Sequence, residues 1–242
     1  MILFYHLSKT GGVSLLRAAD RAIAGERKRV FLSEMRPWLD RLRSGAGAEA
    51  VDGVAFLSGH FAYGIHEYLP ERPRTFTILR NPVDQTLSMY HTAMNAEGKR
   101  ERIGVYPSGR LTDLLTTPAG QPFFNNPQVR HLAGTQGEPV LGEVTEAHLE
   151  RAVQVVLDEM TAFGIAEYPV ATIDAINAEL ATSFDVRFEN VSPRAPSRGV
   201  SSDLLQVIWS ANAFDRRLYE RCVSAFVDRL VRVRPRVPVE PI

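Results

Sequence analysis

Residues 1–12 read Met1-Ile2-Leu3-Phe4-Tyr5-His6-Leu7-Ser8-Lys9-Thr10-Gly11-Gly12: an apolar run with two aromatics, then a polar turn closed by two glycines. The apolar run suits a buried strand. From Val13 to Ala24, Leu15, Leu16, Ala19 and Ile23 recur at helical spacing, so the turn joins a strand to a helix. Gly11 and Gly12 remove Cβ atoms where backbone must approach a ligand closely or take positive φ. The first N–H groups of the helix lack intrahelical partners, and its dipole is positive at that end. Together these features form a cradle for an anion such as phosphate. Lys9 adds a full positive charge, and Thr10 and Ser14 add hydroxyls. The order is not Gly-x-x-x-x-Gly-Lys-Ser/Thr, because here the lysine precedes the glycines.

Further along the chain the same unit recurs. Residues 54–58 and 75–79 read as buried strands, closed by Gly59-His60 and by Arg80-Asn81-Pro82. Residues 29–32 and 162–166 are candidates for two more. Pro82 suits the first turn of a helix, which continues through Leu87, Tyr90 and Met94. Strand–turn–helix units predict an α/β fold with a central, mainly parallel sheet flanked by helices and a P-loop-like nucleotide site. The second half is expected to be helix-rich. Thr145 is placed to cap one helix, residues 170–180 form another, Ser202 caps a third, and Asp215 begins the last. Trp38 and Leu42 mark a short helix early in the chain. Residues 104–127 are rich in Gly, Pro and Asn and read as a long loop, either a substrate wall or lid or a surface excursion. The whole of 1–242 reads as one domain.

Composition narrows the partners. With 28 basic and 28 acidic side chains the net charge is zero, which gives no general case for nucleic acid or an anionic membrane. No apolar run approaches the ~20 residues of a spanning helix, so the chain is expected to be soluble. The single cysteine, Cys222, cannot form an intrachain disulfide; a reducing, cytoplasmic setting fits. Cys222 lies on the apolar face of a helix and reads as a small buried hydrophobe.

Arg80 follows a buried strand at its carboxyl end, the edge where open α/β sheets bind ligands. Its planar fork suits phosphate. Ser88, on the helix that follows, is placed to share that anion. Two anion sites on two strand ends imply a ligand with two separated phosphates. ATP would instead want one continuous cradle and a metal-holding carboxylate, and no strand-end Asp clearly serves.

Lys9-Thr10-Gly11-Gly12, together with Leu79-Arg80-Asn81-Pro82-Val83 and Ser88, resembles the paired nucleotide motifs of the sulfotransferase superfamily, nearest to the heparan sulfate 2-O-sulfotransferase type and its bacterial relatives. Gly59-His60-Phe61, Asn126-Pro127-Gln128-Val129-Arg130, and Asn212 with Asp215, Leu218 and Tyr219 extend the likeness over most of the chain. It departs at Ser8, where the pattern usually has Pro; at Val13, where it has Thr or Ser; and at Asn81, where Asp is common.

The resemblance implies 3′-phosphoadenosine 5′-phosphosulfate as donor, an acceptor hydroxyl with carbohydrate among the candidates, and no metal. Lys9 with the backbone of Gly11, Gly12, Val13 and Ser14 would hold the 5′-phosphosulfate. Arg80 and Ser88 would hold the 3′-phosphate. Arg194 and Arg198 lie in a polar loop; such a loop could close over that phosphate, with Arg198 the better placed. His60 is the expected base and Lys9 the group that offsets charge on the leaving phosphate. His66 is the rival base. His6 reads as buried packing, and His91, His131 and His148 as surface or packing residues. Arg130 is read either as meeting an anionic substrate or as a surface ion pair. Two other readings stay open: a nucleotide-binding protein without transfer activity, and an ATP-dependent kinase with an unusual phosphate loop.

Overall fold

The computed structural model describes residues 1–23, 28–32, 36–46, 49, 51–95, 110–118, 120–186, 197 and 199–233. Five strands form one sheet: β1 (Ile2–Tyr5), β2 (Lys28–Leu32), β3 (Val54–Gly59), β4 (Arg74–Leu79) and β5 (Ala162–Ile165). Their order is β2-β3-β1-β4-β5, and every described pairing is parallel. The expected α/β class is therefore the observed one.

Strand alternation divides the core in two. Ile2 and Phe4 face one side, where they pack with Leu15, Ala18 and Ala19 of α1 (Gly12–Ala22) and Ile173, Ile176 and Leu180 of α8 (Pro169–Leu180). Leu3 and Tyr5 face the other. They meet Leu39 of α2 (Arg36–Arg41), Leu149 and Ala152 of α7 (Glu146–Gln154), and Leu218, Cys222 and Phe226 of α10 (Ala213–Val233). Period-two alternation in β1 thus meets apolar helical stripes above and below it. The rings of Phe4 and Phe76 stack at 4.5 Å between centroids, and both residues are fully buried. Each such side chain contributes roughly 1.5–3 kcal/mol by leaving water.

Between β4 and β5 lie α3 (Pro82–Asn95), α4 (Leu111–Thr116), α5 (Gln121–Phe124) and α6 (Pro127–Leu132). The expected irregular stretch 104–127 is thus corrected over its described part. Leu111, Leu114, Leu115 and Phe124 are buried with Val83 and Leu87 of α3 and Ile208 of α9 (Ser202–Ala211). Their apolar spacing was masked by the surrounding Gly, Pro and Asn. Thr145 caps α7 as expected, in a reciprocal arrangement with His148. The cap of α9 is Ser201, one residue before the expected Ser202, and α10 begins at Ala213 rather than Asp215.

The junction of α6 and α10 is built from buried polar groups. Asp215 accepts hydrogen bonds from the Gln128 N–H (3.0 Å) and the Val129 N–H (2.7 Å), capping α6. Asn126 Oδ1 accepts from the Phe214 and Asp215 N–H groups at 3.0 and 2.9 Å, capping α10 in return. Asn212 Oδ1 accepts the Asn126 N–H at 2.8 Å. These bonds satisfy helix-end donors that burial would otherwise leave costly.

Arg130, read from the sequence as a substrate contact or surface ion pair, is neither. It is 2% exposed, and its guanidinium donates to the carbonyls of Asn125, Val140 and Gly142 at 2.7–2.8 Å. Its cation is spent on stitching a loop to α6. Cys222 is fully buried, and burial pushes its thiol up to about 12, so it behaves as a hydrophobe. No helix among the described residues is long and apolar enough to cross a membrane.

Candidate functional site

The strand order selects the place. From β1 the chain runs through α1 outward to β2, and from β4 it runs the opposite way to β5. The connections therefore diverge between β1 and β4, and the crevice outside their carboxyl ends is where open α/β sheets bind ligands.

Register then decides which residues meet there. Tyr5, the last residue of β1, is level with Thr77 of β4, and the turn that follows β1 meets the residues that follow β4. The two segments are joined directly: Arg80 Nη1 donates to the Lys9 carbonyl at 2.9 Å, and Gln85 Nε2 donates to the Ser8 carbonyl at 2.8 Å. On the other side of β1, Tyr5 is level with Gly59 of β3, so His6 continues level with His60. The His6 N–H donates to the Gly59 carbonyl at 3.1 Å, and His60 Nδ1 lies 2.6 Å from the His6 carbonyl. Three adjacent strand ends thus present His60, the Lys9 loop and Arg80 in a row about 10 Å across.

The loop conformation fits an anion cradle. Lys9 has φ 65° and Gly11 φ 92°. A lysine in that region is strained by roughly 1–2 kcal/mol, and the bonds from Arg80 and Gln85 to the loop carbonyls hold it there. Gly11 is the N-cap of α1, whose first N–H groups face out of the helix. Gly12 is required by packing: a Cβ there would lie 2.3 Å from the His6 ring.

Thr10 corrects one expectation. It is fully buried, and its hydroxyl donates to the Leu7 carbonyl at 2.9 Å, so it closes the turn instead of facing a ligand. Val13 is 56% exposed at the start of α1, where a hydroxyl side chain would have been a further donor. Ser14 is half-buried one residue on. Ser88 is half-buried on α3, one turn beyond Gln85 on the same face. Arg194 and Arg198 lie outside the described residues. Their neighbour Ser197 donates its N–H to Asp84 at 3.0 Å, at the start of α3.

His60 has a defined tautomer. A carbonyl only accepts, so Nδ1 carries the hydrogen and Nε2 the lone pair. Although an edge of His60 reaches solvent, its protein surroundings lower its pKa from the ordinary histidine value, with the His6 carbonyl partly opposing the shift. His60 is thus a neutral imidazole near pH 7. His66 stands elsewhere: its Nδ1 is 2.8 Å from the Tyr5 hydroxyl, and its ring packs 4.8 Å from that of Tyr63, on one face of the sheet. His131 Nδ1 donates to the Pro127 carbonyl at 2.8 Å, a packing role.

His6 is buried as expected, stacked on Phe4 and 4.5 Å from the His60 ring. Burial, then His60 and Lys9, push its pKa down to about 3. The unfolded chain takes up this proton near pH 6.5, whereas the folded chain does so only near 3. Its contribution is therefore whole above pH 6.5 and drains as the pH falls, by up to about 1.4 kcal/mol per unit. Denaturant unfolding at pH 7.5, 6 and 5 is expected to show this slope, and His6→Gln to flatten it. An unchanged slope in the variant would remove His6 as the source.

Two residues of the site escaped the sequence reading. Gln85 is 1% exposed, and its Oε1 is buried with no hydrogen-bond partner among the described residues. Glu167, just past β5, accepts the Asn81 N–H at 2.9 Å and the Tyr219 hydroxyl at 3.0 Å. A lone Gln within a helix and a lone Glu in a turn carry no signal without the register that brings them to this edge. Among the described residues, no group of three or more His, Cys, Asp or Glu could hold a metal ion.

The fold and crevice define an open parallel α/β protein with a cationic loop at its switch point. Compared with known proteins, the chain matches no family model and no curated sequence.

Proposed function

We propose that this chain is a sulfotransferase, moving a sulfuryl group from 3′-phosphoadenosine 5′-phosphosulfate to an acceptor hydroxyl, with carbohydrate among the candidate acceptors. The observation that carries the reading is the direct bond between the two anion-binding segments, Arg80 Nη1 to the Lys9 carbonyl, with His60 on the next strand end. A donor with two separated phosphates matches two cationic strand ends better than a triphosphate does. The likeness of the Lys9–Gly12 and Arg80–Ser88 segments to sulfotransferase nucleotide motifs supports the same donor.

In the reaction, His60 Nε2 takes the proton of the acceptor hydroxyl as its oxygen bonds to sulfur. The bond between sulfur and the 5′-phosphate oxygen breaks, releasing 3′-phosphoadenosine 5′-phosphate. Lys9 and the N–H groups at the start of α1 offset the charge that collects on the leaving oxygen. Cys222 as the sole cysteine favours a cytoplasmic setting.

Calorimetric titration with 3′-phosphoadenosine 5′-phosphate tests the donor assignment. Arg80→Ala is expected to weaken binding about 10- to 100-fold, the loss of a charge-assisted bond to phosphate. Equal affinity in the variant would remove Arg80 from the site.

A further inference from the structure

Sheet pairing on the β5 side of β4 ends at Leu79, whose carbonyl accepts the Ala166 N–H at 2.8 Å. One residue later, both main-chain polar groups of Arg80 are taken up by a side chain. The Arg80 N–H donates to Gln128 Oε1 at 3.1 Å, and Gln128 Nε2 donates to the Arg80 carbonyl at 2.8 Å. The amide thus stands in for a neighbouring strand. Only an amide of this length does so: glutamate lacks the donor, methionine lacks both groups, and asparagine is one methylene short.

Gln128 is itself fixed. It is fully buried, and its N–H is held by Asp215, which is also fully buried. Its position follows from the α6–α10 junction. On the far side of Arg80, Glu167 holds the Asn81 N–H. The guanidinium therefore leaves from a main chain clamped at two successive residues and reaches back to the Lys9 carbonyl.

We propose that Gln128 is a positioning residue for the 3′-phosphate end of the donor site, setting the Arg80 main chain and so the reach of its guanidinium. The proposal rests on the sulfotransferase reading above, in which Arg80 takes the 3′-phosphate. Gln85 supplies the contrast: it holds the Ser8 carbonyl, at the 5′ end of the same site.

The test compares two probes, 3′-phosphoadenosine 5′-phosphate and adenosine 5′-phosphate, which differ only in the 3′-phosphate. Dissociation constants are measured for wild type, Gln128→Met, Arg80→Ala, the double variant and Gln85→Met. Wild type is expected to prefer the bisphosphate. Gln128→Met should cut that preference about tenfold by weakening the bisphosphate more than the monophosphate, whose Lys9 loop Arg80 also holds. The double variant should be no worse than Arg80→Ala, because the two residues act as one unit. Gln85→Met should weaken both probes alike. If Gln128→Met does not fold, as judged by thermal melting, Gln128→Asn carries the same expectation. Retained preference, or equal weakening of both probes, would overturn the role of Gln128 while leaving the donor reading intact. A wild type without preference for the bisphosphate would overturn the donor reading, and the proposal with it.

Discussion

His60→Ala is expected to lower sulfuryl transfer by about 10²- to 10⁴-fold, the usual worth of a positioned general base, while leaving nucleotide affinity within about twofold of wild type. The asymmetry follows from its place. His60 stands on the β3 side of the Lys9 loop, whereas Arg80 stands on the β4 side. Its Nδ1 is bound to the His6 carbonyl, so Nε2 is the nitrogen able to accept a proton. Because its surroundings lower the pKa, the neutral form dominates at pH 7. The acidic limb of the wild-type rate profile should therefore fall below the ordinary histidine value of 6.5, with the rate rising through that limb as pH rises and flat above it. His60→Ala should abolish the limb. Unchanged turnover would remove His60 as base. Lost turnover with equally lost nucleotide binding would point to collapse of the β1–β3 corner instead.

The second large effect is expected at Lys9. Lys9→Ala should reduce turnover by about 10²- to 10³-fold, as for the loss of one preorganised group facing a developing oxyanion. Its main chain is held by the Arg80 bond to its carbonyl, which alanine preserves. The loop should therefore persist while the ammonium is lost. If the ammonium acts on the leaving phosphate oxygen, kcat falls with little change in KM for the donor. A rise in KM alone would assign Lys9 to ground-state binding.

Much of the fold was legible because it is written in short-range signals. The unbroken apolar run through Ile2–Tyr5 and the helically spaced Leu15, Leu16, Ala19 and Ile23 are different signals, and Gly11-Gly12 marks the change between them. Arg80 and His60 were legible because each directly follows a buried strand. Residues that act through long-range geometry were less legible. Thr10 looked like a ligand contact because a hydroxyl beside two glycines is well placed for one. Its inward bond to Leu7 depends on a loop conformation that the sequence does not spell. Arg130 looked exposed because guanidinium groups usually are; the carbonyls of Asn125, Val140 and Gly142, in the loops on either side of α6, make its burial tolerable. Gln128 was noticed as part of a segment, but its bonds to Arg80 span 48 residues and appear only when α6 is laid against the end of β4.

The most direct test of the donor assignment is a competition titration on the wild-type chain. 3′-Phosphoadenosine 5′-phosphate is expected to bind without added Mg²⁺ and to displace ATP from the site. Mg²⁺-dependent ATP binding that displaces the 3′-phosphorylated nucleotide would contradict the account, because it would make the Lys9 loop a triphosphate cradle and the chain a kinase or ATPase.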